Sequence, residues 1–188
     1  MQSFPLTAIA YTLALFFAFS FALLAERFKQ GQNRNVFRNL SFTVIILFCS
    51  LRFFVGNDYY EYFRVFQDIS KNNLSFLEQR WEPGIYVLTQ IFKNSQFGYL
   101  LFLFACNVIT YIFIFKTLVY NDTLKWGVFF TFTLGLLIMA NDQVRQAVAL
   151  SIFLFSVKYM EQNNFKKYIQ WIIIASLFHY TAIALIPV

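Results

Sequence analysis

Six polar side chains scattered through an otherwise apolar chain are of the types that grip phosphate and move protons: Arg52, Asp58, Glu82, Arg145, Gln146 and His179. Arginine presents a planar fork of donors that binds a phosphate or pyrophosphate through two oxygens at once. Carboxylates such as Asp58 and Glu82 and an imidazole such as His179 are the residue types that take up and give back protons. Apart from the carboxylates there is no cluster with metal-ligand spacing, so neither a metal nor another cofactor is expected. Such chemistry requires the six to meet in space, which puts the weight on the elements that carry them.

Those elements belong in a membrane. Of the 188 residues 59% are hydrophobic and 13% charged, against roughly 25% charged in an average soluble domain. Twenty-seven phenylalanines and eleven tyrosines would make a sticky surface in water, whereas lipid accepts them and its interfaces favour tyrosine. The net charge of +6 does not point to nucleic acid, because the basic residues fall in short clusters between apolar runs instead of forming a stripe. Cys49 and Cys106 sit inside apolar stretches without disulfide or metal spacing and read as packing residues.

A crossing helix needs about 20 residues, and six runs approach that length: 4–25, 39–55, 97–115, 126–140, 143–160 and 168–188. The predicted fold is therefore all-α: one transmembrane bundle over 1–188 with about six spans, incomplete because the last apolar run is still open at Val188. Nine of the fifteen Lys and Arg lie in alternate loops, at Arg27, Lys29, Arg34, Arg38, Lys116, Lys125, Lys158, Lys166 and Lys167. Positive loops face the cytoplasm, which places the amino terminus and the segment 56–84 outside. Within that segment Asp58 with Glu61, and Ser75 with Glu78, are spaced as capping boxes, so two short interfacial helices are expected. Glu82, Pro83 and Gly84 should cap and open a further helix over 85–92, followed by a polar break over 93–96.

Counting along the helices, His179 lies about 16 Å in from Tyr168. Its helix neighbours Ala175, Ser176 and Ala182 are small and suit close packing, so the ring should face inward. Arg145 falls near the outer boundary and Arg52 slightly inside it, depths at which charges face a cavity or a partner. Arg52, Asp58, Glu82, Arg145 and His179 are thus expected to line one outward-opening cavity. Each also fits an ordinary role. Arg52 can reach lipid headgroups, Asp58 and Glu82 can cap their own helices, and Arg145 can pair with Asp142. His179 can bond a backbone carbonyl, and Tyr59, Tyr60, Tyr62 and Phe63 can form an interfacial belt.

The ordered set Arg52, then Gly56 Asn57 Asp58 Tyr59 with Tyr62, then Glu82 Pro83 Gly84, then Arg145 Gln146 with Ala149, and last Leu177 Phe178 His179 resembles the EpsG family. That family comprises Wzy-like polymerases of bacterial exopolysaccharide, capsule and O-antigen. The resemblance spans about 52–187 and lies in the order of its elements. It implies a glycosyltransferase-type polymerase in the bacterial cytoplasmic membrane. Such an enzyme joins oligosaccharide repeat units carried on undecaprenyl pyrophosphate at the external face, in contact with the lipid bilayer and with other polysaccharide assembly proteins. Arg52, Arg145, Gln146, Tyr59 and Tyr62 would then bind pyrophosphate and glycan, while Asp58, Glu82 and His179 would be catalytic. Family members continue past the histidine-bearing helix, so this chain reads as a shortened amino-terminal part. Two other readings stand beside it: a polysaccharide-related transporter or flippase, since inward charges also mark substrate paths, and an inactive remnant or helper subunit.

Overall fold

The computed structural model describes residues 4–28, 31–51, 58–72, 75 and 81–186, and these form helices with no strand among them. In chain order the helices are α1 (Phe4–Arg27), α2 (Gln32–Ser50), α3 (Tyr59–Asn72), α4 (Pro83–Phe92), α5 (Gly98–Tyr120), α6 (Leu124–Thr133), α7 (Leu136–Asp142), α8 (Val144–Glu161) and α9 (Phe165–Ser176), followed by a 3-10 helix over Tyr180–Leu185.

Because α1 is apolar all round, side-chain size selects its packed face. Ala14, Ala18, Ala22 and Ala25 are buried while Leu6, Ile9, Leu13 and Phe16 stay exposed. The alanine stripe lets α2 approach closely enough for the Ser41 hydroxyl to donate to the Ala18 carbonyl at 2.8 Å. α1 is peripheral, only 22% buried over its most apolar stretch, whereas α5 reaches 50% and forms the centre of the bundle. α3 is an amphipathic helix of the kind expected in the external segment. It buries Tyr59, Tyr62, Phe66 and Ile69, spaced three or four residues apart on one face. Tyr59, Phe63 and Phe66 pack around the Tyr99 ring, and Trp81 stacks on Phe102 with centroids 5.6 Å apart. The second expected interfacial helix falls outside the described residues, apart from exposed Ser75.

The bundle is all-α as expected, but of the about six spans expected two helices among the described residues, Leu6–Arg27 and Gly98–Tyr120, are long and apolar enough by themselves to cross a membrane. α6 and α7 make a third such stretch only as a pair bent by 65°. The bend centres on Gly135, whose φ of 71° lies in the left-handed region that glycine enters without steric cost. α2 and α8 reach 19 and 18 residues, but Arg34, Arg38, Arg145, Lys158 and Glu161 dilute their apolar character.

The run 168–188 is likewise not a crossing helix. α9 stops at Ser176 after 12 residues, His179 is extended with φ −157° and ψ 115°, and the Tyr168 hydroxyl donates to the Leu185 carbonyl at 2.6 Å. In a straight helix those residues, 17 positions apart, would be separated by about 26 Å. The chain therefore doubles back on α9. His179 lies in the bend and not within a continuous helix, although its N–H still donates to the Ala175 carbonyl at 3.1 Å and its carbonyl accepts from Ala182 N–H at 3.0 Å.

Candidate functional site

Pro83 begins α4, as its fixed φ and missing N–H allow at a first helical position. Glu82 before it is extended, with φ −64° and ψ 153°. In that position its carboxylate could cap the helix, but it makes no capping bond. One oxygen, Oε2, accepts from Arg145 Nη1 at 2.8 Å, and the other, Oε1, accepts from His179 Nδ1 at 2.9 Å. Glu82 is only 3% exposed, so its carboxylate has little access to water and leaving either oxygen unpaired would be costly.

Arg145 is the second residue of α8, at a helix end whose dipole repels a cation. The Glu82 carboxylate offsets that repulsion. On its other flank Arg145 Nε donates to the Tyr62 hydroxyl at 3.4 Å, and the guanidinium lies 5.9 Å from the Tyr62 ring centroid. Tyr62 is in turn packed on Trp81, so α3, α4 and α8 are fastened together by one side-chain network. Glu82 lies outside the apolar spans. Burial pushes its carboxyl upward, but a backbone hydrogen bond at Glu82, the hydrogen bond and charge of Arg145 and the hydrogen bond from His179 together hold it below its ordinary value.

Gly84 explains how His179 reaches Glu82. Its N–H donates to the Leu177 carbonyl at 2.8 Å, and a Cβ there would stand 2.9 Å from that oxygen and 3.0 Å from the Phe178 ring. Without a side chain at 84 the first turn of α4 can lie directly on the bend that carries His179. The tripeptides Glu82 Pro83 Gly84 and Leu177 Phe178 His179 thus face each other as a matched pair. Next to them is a cavity of about 420 Å³ walled by α5, α7, α8 and the 3-10 helix, with His179, Gln146, Gln143 and Thr181 among its polar lining.

Of the residues singled out from sequence, Glu82, Arg145, His179 and Tyr62 are brought together. Gln146 is exposed on the wall of the cavity that His179 also lines. Tyr59 is buried in the aromatic core, its carbonyl accepting from the Tyr99 hydroxyl at 3.0 Å, so packing accounts for its ring. Asp58 is exposed before α3 with its carbonyl bound by Tyr62 N–H. Its carboxylate makes no contact with the cluster among the described residues. Arg52 lies outside those residues. Glu61 binds Arg64 at 2.9 Å, and Arg145 is given to Glu82 instead of to the Asp142 partner its helix spacing offered. Sequence reasoning did not single out Gln143 or Thr181 for the cavity, or Trp81 as the support beneath Tyr62. The apolar residue immediately before the Glu-Pro-Gly turn was the available signal for Trp81. No group of three or more His, Cys, Asp or Glu side chains gathers among the described residues.

Fold and site together define a helical membrane protein in which a buried glutamate joins an arginine and a histidine, the histidine also lining an open cavity. Comparison with protein families matches residues 35–188 to the EpsG family, a stretch that contains the whole cluster. The chain belongs to the EpsG family. No curated protein and no solved structure matches it.

Proposed function

We propose that the chain is, or forms part of, a polysaccharide polymerase of the cytoplasmic membrane that joins undecaprenyl-pyrophosphate-linked oligosaccharide repeat units on the external face. The observation that carries this reading is that one buried carboxylate, Glu82, holds both Arg145 and His179 beside a cavity. An ionised carboxylate only accepts hydrogen bonds, so Nδ1 of His179 carries a proton. In the neutral ring the lone pair is then on Nε2, available to an acceptor hydroxyl. Nε2 takes the hydroxyl proton while the oxygen attacks the anomeric carbon of the lipid-linked glycan. The glycosidic bond forms as the bond to pyrophosphate breaks, and the pyrophosphate departs with the electron pair. The donors of Arg145 not used by Glu82 and Tyr62, together with Gln146, stabilise the departing charge. Glu82 is in this scheme a positioning residue, since both its oxygens are occupied. Arg52 supplies a second cation, and Asp58 stands outside the proton transfer.

Arg145→Ala tests the reading. In cells whose only copy carries the variant, polymer is lost and single repeat units accumulate, because a charge-assisted phosphate contact is worth about 1.5 to 3 kcal/mol, roughly ten- to a hundredfold in rate. Arg145→Lys restores part of the chain length, since a point charge does not reproduce a fork. Unaltered chain length in the alanine variant removes Arg145 from the mechanism.

A further inference from the structure

A second cavity, larger at about 590 Å³, lies between α2, α5 and α8. It is at the far end of α8 from the Glu82 cluster, since Arg145 and Lys158 stand about 20 Å apart along that helix. Three cations line it, Arg38, Lys116 and Lys158, over walls that include Phe42, Phe115 and Phe155.

Two carboxylates near this end are spent elsewhere: Glu26 binds Lys125 at 3.0 Å and Asp122 binds Arg34 at 3.3 Å. Among the described residues none forms an ion pair with the three cavity cations. Arg38 reaches only the side-chain oxygen of adjacent Asn39, at 3.4 Å. The two lysines are held by rings, with Lys158 Nζ 3.7 Å from the Phe155 centroid and Lys116 Nζ 5.7 Å from it. Glu161 lines a smaller adjoining cavity of about 180 Å³ that Lys158 also borders.

Three cations with no ion-pair partner among the described residues, over a largely apolar pocket between helices, call for an amphiphile with an anionic head and a hydrocarbon tail. A basic pocket at a membrane interface recognises phospholipid headgroups, each Lys or Arg contributing on the order of a factor of five. We propose that this cavity binds one anionic phospholipid, its phosphate among Arg38, Lys116 and Lys158 and an acyl chain against Phe42, Phe115 and Phe155. The site is separate from the Glu82 cluster and does not depend on the function proposed for it.

The purified chain in detergent, titrated with phosphatidylglycerol, phosphatidylcholine of the same acyl chains or inorganic phosphate, and read by native mass spectrometry, tests this. One phosphatidylglycerol is retained at least tenfold more tightly than phosphatidylcholine, and inorganic phosphate is not retained. Joint replacement Arg38→Gln, Lys116→Gln and Lys158→Gln weakens retention on the order of a hundredfold. The equal charge loss Arg27→Gln, Lys166→Gln and Lys167→Gln changes it less than threefold. Ile112→Trp, which keeps every cation and fills the apolar part of the cavity, also weakens retention and supplies the test if the triple glutamine variant does not fold. Equal retention of both lipids overturns the proposal, as does an unchanged affinity in the cavity variants or retention of inorganic phosphate as tight as that of the lipid.

Discussion

Replacing Glu82 by glutamine alters charge without altering size, and its effect can be worked out atom by atom. In the wild type both carboxylate oxygens accept, one from Arg145 at 2.8 Å and one from His179 at 2.9 Å. A glutamine has one oxygen and one NH₂ group. Turned so that the oxygen keeps Arg145, it presents a donor to His179 Nδ1, which must then become an acceptor, and the ring proton moves to Nε2. The ion pair with Arg145 becomes a bond with charge on the arginine side alone, and the charge-assisted bond to His179 becomes a neutral one, at a loss of about 1 kcal/mol each. Arg145 is 30% exposed, so water screens its share and the expected destabilisation is about 1 to 2 kcal/mol. The expected loss of activity is far larger, on the order of 10³-fold or more, because Nε2 no longer has a lone pair for the acceptor hydroxyl. His179 is the only histidine in the chain, so ¹⁵N spectra of imidazole-labelled protein report this ring alone. The neutral ring should carry its proton on Nδ1 in the wild type and on Nε2 in Glu82→Gln. The same tautomer in both proteins would refute the assigned role of Glu82, whatever happened to activity.

The remaining predictions concern packing, pH and topology. Gly84→Ala pushes a methyl group against the Leu177 carbonyl and the Phe178 ring and should cost about 1 to 3 kcal/mol, measured as a lower melting temperature in detergent. The Glu82 carboxyl is held below its ordinary value in the folded chain. The stability it contributes is therefore complete above the unfolded value and is lost as pH falls through the folded one, so the melting temperatures of wild type and Glu82→Gln should converge in acid. A gap that widens in acid would reverse the assigned sign. A cysteine replacing Arg34 should stay unlabelled by an impermeant maleimide in intact cells while one replacing Asp58 is labelled, and the opposite pattern would put the amino terminus inside.

What could be read from sequence was the material dictated by local chemistry. The Glu82 Pro83 Gly84 opening of α4 and the break after Phe92 follow from proline, glycine and polar composition within a few residues, and both occur. The meeting of Glu82, Arg145 and His179 was accessible because charges that are costly in hydrocarbon must find one another. What was not accessible is set across long stretches of chain. Leu177 and Phe178 carry no helix-breaking signal, and the bend at His179 involves a carbonyl bound by the backbone of Gly84. Gly135 lies inside an apolar run with no polar neighbour to mark a turn, yet it takes a positive φ. Tyr59 and Tyr62 are the same residue type three positions apart. Only packing against Tyr99 on one side and Arg145 on the other separates a core ring from a site ring.

Doubling back at His179 also bears on the order in which the site comes into being. α3, α4 and α8 emerge before α9 during synthesis, and the Glu82–Arg145 pair, with Tyr62 beside it, needs nothing beyond them. The two opposite charges can therefore neutralise one another while the bundle inserts. The hairpin of α9 and the 3-10 helix, closed at its base by Tyr168 and Leu185, arrives afterwards and delivers the imidazole to the carboxylate oxygen still open. The order of synthesis thus allows an electrically balanced pair to stand before the imidazole is in place. Loss of the histidine would leave that pair intact, whereas loss of the glutamate would remove the charge that balances Arg145.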